Sequence, residues 1–155
     1  MHMTDPDRLT IRIAIEDLNA AFAYYLDHNQ VESLVELFTS NACYSHGERR
    51  TEGRDALRAL FVARTAFGVR TTRHLYSGLR IDIRDERTAT GRSVCMAFAA
   101  NQAPPIGVCM PHLVADFLDE YVLDADGRWR IKKRDIMRIF AASGEVPGNV
   151  AAKGR

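Results

Sequence analysis

Residues 112–139 read HLVADFLDEYVLDADGRWRIKKRDIMRI, two alternating stretches joined by a turn. Leu113, Ala115, Phe117 and Tyr121 recur at even spacings, the period at which side chains of a strand share one face. Asp126-Gly127 is a hairpin turn signal, because glycine accepts the positive φ that a tight turn needs. The stretch predicts a strand over His112–Leu123 and an antiparallel partner over Trp129–Ile139. The same period holds upstream. His74–Ile83 carries Leu75, Leu79, Ile81 and Ile83 as one predicted face, and Arg92–Ala100 forms another strand before Pro104-Pro105-Ile106-Gly107 breaks the chain. From residue 71 onward the chain predicts an antiparallel meander.

Before residue 71 the period is helical. Ile11, Ile15, Leu18, Phe22, Tyr25 and Leu26 fall at three- and four-residue spacings, predicting a helix that starts at Thr4 or Asp5 before Pro6. It should stop at Asp27-His28-Asn29, whose short polar side chains compete for backbone hydrogen bonds. Val31, Leu34, Val35 and Phe38 predict a short second helix. Ala42–Ser45 predicts a brief strand, Gly47–Gly53 a polar turn, and Leu57, Leu60 and Phe61 a third helix with Gly53 at its threshold. Helices first and a meander after is an α+β layout. A curved, mostly antiparallel sheet with helices on its concave face would enclose a pocket at the open end.

The 155 residues suit one domain, expected over 1–141 with a flexible tail over 142–155. Lys+Arg at 21 against Asp+Glu at 20 gives a net charge of +1, which argues against a nucleic-acid or anionic-membrane partner. The basic run Arg130-Ile131-Lys132-Lys133-Arg134 reads as a solvated strand face for most of its charges. Three cysteines, Cys43, Cys95 and Cys109, without CxxC spacing argue against disulfides and structural zinc and for a reducing, cytoplasmic setting. Neither a signal-peptide pattern nor a run of membrane-spanning length is present.

The order of elements resembles the SnoaL-like, NTF2-like superfamily over roughly residues 8–140. Ala14-Ile15-Glu16-Asp17-Leu18 with Tyr25-Leu26-Asp27 is similar to the first helix of that family, and Thr51-Glu52-Gly53-Arg54-Asp55-Ala56-Leu57 to its third. Thr72-Arg73-His74-Leu75 is similar to the strand that carries a catalytic histidine in several members, and Asp126-Gly127-Arg128-Trp129-Arg130-Ile131 to the hairpin that opens the last strand. The resemblance implies a cone around a pocket, no cofactor, and a homodimer or homotrimer. It also implies an Asp–His dyad, as in scytalone dehydratase and hexachlorocyclohexane dehydrochlorinase, at Asp27 and His74. A pocket arginine would stand at Arg134. One turn before Asp27 the chain departs from the dehydrochlorinase, with Phe22 where a lysine stands there.

The chemistry suits the residues. Histidine titrates in water near neutral pH, and a carboxylate on one ring nitrogen fixes the tautomer and stabilises the imidazolium. Asp27-His28-Asn29 is equally ordinary helix-terminating chemistry, and a strand arginine equally a solvated charge. His112 reads either as a donor to a substrate carbonyl or as a mouth residue; His28 and His46 read as surface residues. Asp116 and Asp119 fall on opposite faces of one strand, so at most one points inward. Phe22, Tyr25, Leu26, Phe61, Cys95, Met110, Leu113 and Phe117 are the candidate lining for a small hydrophobic or aromatic molecule, or else plain core. Three readings follow: a cofactor-independent lyase, a polyketide or steroid cyclase or isomerase using the same base, and a non-catalytic binding or partner subunit similar to the small subunit of ring-hydroxylating dioxygenases.

Overall fold

The polar and apolar periods of the chain resolve into three helices and six strands in a computed structural model that describes residues 4–66 and 68–142. Beyond Ala142, the tail expected at 142–155 lies outside the described residues. Helix α1 spans Asp5–Asp27, α2 Val31–Glu36 and α3 Arg54–Thr65; the strands are β1 Phe38–His46, β2 Arg49–Glu52, β3 Thr71–Ile83, β4 Thr88–Ala100, β5 Leu113–Leu123 and β6 Trp129–Ala141. They form one curved sheet in the order β2-β1-β6-β5-β4-β3, antiparallel throughout except for the β1–β6 pair. No described helix is long and apolar enough to cross a membrane.

Local chemistry accounts for the boundaries. Thr4 caps α1 in a capping box: its Oγ1 accepts from Asp7 N–H while the Asp7 carboxylate accepts from Thr4 N–H at 3.0 Å. Asn29, at φ 55°, turns the chain out of α1. Gly53, at φ 84°, opens α3 and donates its N–H to the Ala42 carbonyl at 2.8 Å, a conformation an L side chain would strain. The apolar stripe of α1 then lies on the sheet, mainly against β3, and joins Leu34, Phe38, Leu57, Phe61, Phe117 and Tyr121 in a single core.

Several elements differ from the sequence expectation. Residues 49–52, predicted as turn, form strand β2, and β1 extends well beyond Ala42–Ser45. Leu75 does not share a face with Leu79, Ile81 and Ile83; it is 57% exposed on the outer side. The register of β3 on β4 slips between Ser77 and Arg80, where Gly78 sits at φ 62°, so a bulge inserts an extra residue and inverts the alternation. His74 and Tyr76 before the bulge therefore face the same side as Leu79, Ile81 and Ile83 after it.

The basic run on β6 is not a solvated face for Arg130 and Arg134, both of which are buried. Arg130 is held by Asp124 and Asp126 and by the Glu36 carbonyl. Arg134, with no exposed surface, donates Nε to Asp119 Oδ1 and Nη2 to Asp119 Oδ2, both at 2.8 Å, and Nη2 to Asn19 Oδ1. Tyr121 completes the network by donating its hydroxyl to Asp119 at 2.6 Å and accepting from Asn19 at 3.0 Å. Burial works against the Arg134 charge, but the Asp119 carboxylate outweighs it and holds the guanidinium above its ordinary pKa. Of the two β5 aspartates, Asp119 is thus the inward one. Opposite it Gly91 leaves the room that the Tyr121 ring fills: a Cβ there would lie 2.7 Å from Tyr121 Cε2.

Candidate functional site

The last residue of α1 meets the first turn of β3. Asp27 ends the helix with its carboxylate turned toward the strand, and three groups of β3 donate to it. Thr72 Oγ1 reaches Oδ1 at 2.8 Å, His74 Nδ1 reaches the same oxygen at 2.6 Å, and the His74 backbone N–H reaches Oδ2 at 2.9 Å. The side chains are nearly closed from solvent, Asp27 at 6% and His74 at 12% exposure. Burial pushes the Asp27 pKa upward, yet the hydrogen bond and charge of His74, with the His74 N–H and the Thr72 hydroxyl, outweigh it and hold the carboxyl below its usual 3.8. An ionised carboxylate only accepts, so Nδ1 of His74 carries a proton in this contact, and in the neutral ring the lone pair then belongs to Nε2.

His74 forms part of the wall of a cavity of about 110 Å³, open on one side. From the expected lining, Phe22, Leu26, Phe61, Cys95, His112, Leu113 and Phe117 all border it. Three expected residues do not. Arg134 lies beneath the floor, its guanidinium stacked 4.3 Å from the Phe22 ring and 4.9 Å from that of Phe117, and spent on Asp119. Tyr25 is rotated by one helical position from Leu26 and borders a separate surface groove with Trp129 and Arg128. Met110 is 76% exposed, because the chain after the proline break rejoins the sheet only at Leu113.

Other wall residues were not foreseen. Tyr44 and His46 enter from β1, Arg49 from β2, Leu60 and Arg64 from α3, Arg70 from just before β3, and Ile136 and Arg138 from β6. The β6 residues follow from phase: Arg134, Ile136 and Arg138 pair with Asp119, Phe117 and Ala115, so all share the inner face. His46, expected on the surface, is a wall residue; Arg138 Nε donates to its Nε2 at 3.2 Å. Burial, then the charges of Arg138, Arg49 and Arg64, press its pKa down to about 4. His112 is likewise lowered to about 4, by burial and by His74, Arg70 and Arg64. Burial raises the Cys95 thiol to about 12, so it stands in the wall as a neutral group. Among the described residues, no three His, Cys, Asp or Glu side chains converge as a metal site.

The comparisons with known proteins agree with this architecture. A family model described as a SnoaL-like domain matches residues 7–135. A crystal structure named "Putative Scytalone Dehydratase" from Novosphingobium aromaticivorans superposes with a TM-score of 0.79 at 25% identity, covering 98% of this chain and all of that one (100%). A protein of unknown function with a cystatin-like fold from Nostoc punctiforme gives 0.71 at 24% identity, over 90% of this chain and 96% of the other. ActVI-ORFA from Streptomyces coelicolor gives 0.73 at 14% identity, over 83% and 97%. No curated protein matches the chain.

Two neutral wall histidines make the fold acid-sensitive. Their folded pKa of about 4 lies below the usual 6.5, so between these values the unfolded chain takes up protons that the folded chain refuses. Stability is therefore complete above about pH 6.5 and declines as pH falls toward 4; the Asp27 contribution is lost only below that window. Allowing for solvent in the open cavity, each histidine should withdraw on the order of 1–2 kcal/mol. Thermal unfolding across pH 7 to 4 should show the midpoint falling, and His46→Gln with His112→Asn should flatten the fall. An equal fall in the double variant would contradict the assignment.

Proposed function

Because the chain belongs to the SnoaL-like domain family, we propose that it is a cofactor-independent lyase, a dehydratase or related eliminating enzyme, acting on a small hydrophobic or cyclic substrate. That family includes polyketide cyclases and dehydratases. The observation that carries the reading is the 2.6 Å contact from His74 Nδ1 to Asp27, with the same ring bordering the cavity. Nε2 then takes a proton from the carbon next to a substrate carbonyl, while Asp27 steadies the imidazolium. The electron pair passes into the carbonyl as an enolate and returns to expel the hydroxyl on the β carbon. The Nε2 proton leaves with that hydroxyl as water, so the histidine ends as it began and a carbon–carbon double bond remains. Phe22, Phe61 and Phe117 supply an apolar wall against which a ring can lie. A cavity open at one side favours this over a non-catalytic partner subunit, for which a packed interior is expected.

Self-association fits the outer sheet face. Leu75, Met96, Val114 and Phe140 fall in one cross-strand row over β3, β4, β5 and β6, with Val94 and Met137 beside it. Such a row suits a homodimer or homotrimer.

Two measurements test these readings. A panel of cyclic β-hydroxyketones should lose water to give conjugated enones, followed by ultraviolet absorbance. His74→Ala should slow turnover by about 10²- to 10⁴-fold, and Asp27→Asn by about 10²-fold or more. Turnover that survives both substitutions would rule out the dyad as the base. In light scattering after size-exclusion chromatography, the native chain should run as an oligomer and Phe140→Glu with Met96→Glu as a monomer; an unchanged mass would count against that face.

A further inference from the structure

The chain as a whole is almost neutral, yet the charge on the cavity wall has one sign. Arg49, Arg64, Arg70 and Arg138 all border the cavity, and among the described residues no aspartate or glutamate does. They come from four elements: β2, the last turn of α3, the approach to β3, and β6. The Asp27 carboxylate, whose charge is felt at Arg64 and Arg70, already accepts from Thr72 and His74. Among the described residues, no carboxylate lies in ion-pairing range of Arg49, Arg64 or Arg138, whereas Arg54, Arg58, Arg130 and Arg134 elsewhere are all paired.

Two wall atoms are also left wanting. Arg49 Nε and His112 Nδ1 are buried with no hydrogen-bond partner among the described residues. A partly buried guanidinium without a counter-charge is costly, and a cleft lined by one sign of charge concentrates the opposite ion. The charges are felt within the wall itself: Arg64 is held below its ordinary pKa first by burial, and both it and Arg49 press on His46. Neutral His46 accepts from Arg138, which steadies that guanidinium along the turn at Gly47, and a neutral His112 can donate without adding charge.

We propose that the substrate is a cyclic carboxylic acid whose carboxylate docks against Arg64 and Arg49, with Arg138 and Arg70 completing the field, while its ring lies among Phe22, Phe61 and Phe117. The guanidinium fork suits a planar carboxylate, offering two parallel N–H donors. The substrate is thereby held by an anionic end at the arginines and an apolar body near His74, which places its reacting carbon by two kinds of contact. This specificity rests on the cavity being the substrate site, and it is tested by binding alone so that it stands or falls apart from the base chemistry.

Isothermal titration of the full chain with naphthoate and with naphthamide, its neutral isostere, reads the preference directly. The acid should bind about tenfold or more tightly than the amide at low salt, and the gap should narrow as salt is added. Arg64→Gln should bring the two affinities together and Arg49→Gln should reduce the gap, with far-ultraviolet circular dichroism showing both variants folded. His74→Ala should keep the preference. Equal affinities in the native chain, failure of the acid to bind at millimolar concentration, or an undiminished gap in the Arg64→Gln, Arg49→Gln double variant would overturn the proposal. A retained preference in a chain whose turnover ignores His74 would uphold it and refute the lyase reading instead.

Discussion

A single carboxylate joins the two halves of the molecule. Asp27 closes the longest helix, and the three hydrogen bonds it accepts come from Thr72 and His74 on edge strand β3. Those bonds anchor the end of α1 on the sheet, so the helix can lay Phe22 and Leu26 over the inner face as cavity wall. They also satisfy a buried charge that would otherwise be expensive, and they do so with the ring that borders the cavity. Helix docking, charge compensation and orientation of the imidazole are one interaction, and any change at Asp27 acts on all three.

Beneath the cavity a second charge is managed in a different way. Arg134, through Nε and Nη2, is joined to Asp119, Asn19 and Tyr121 across α1, β5 and β6, with aromatic rings above the guanidinium and Nη1 left without a hydrogen-bond partner among the described residues. A buried pair of this kind is weak evidence for added stability, because desolvation offsets its attraction, but breaking it leaves a lone charge in the core. Its geometric consequence is that the floor arginine is buried and paired with Asp119 rather than presented to the cavity. The cationic chemistry of the cavity therefore resides in the wall arginines.

Much of the architecture was legible because it is local. The helical spacing from Ile11 to Leu26, the Asp126-Gly127 turn and the even spacing along β5 each depend on residues a few positions apart. Asp27 and His74 were found by resemblance, since nothing in the spacing alone joins residues 47 positions apart. What escaped depends on phase and register. Gly78 inverts the alternation of β3, so Leu75 looked like a core residue. The Arg49–Glu52 strand has no apolar face to announce it and exists because it pairs with β1. The wall roles of Arg138 and Ile136, and the floor position of Arg134, follow from the pairing of β6 with β5, which places Arg134 opposite Asp119. His46 looked solvated because the arginines that surround it are distant in sequence.

The proposed base chemistry depends on which nitrogen of His74 carries its proton. Nitrogen-15 NMR of the histidine side chains, near neutral pH and with His74 assigned by substitution, reads this directly. A protonated Nδ1 and an unprotonated Nε2 are expected, with that tautomer preference weakened in Asp27→Asn. A proton resident on Nε2, or a tautomer indifferent to the Asp27 substitution, would contradict that chemistry.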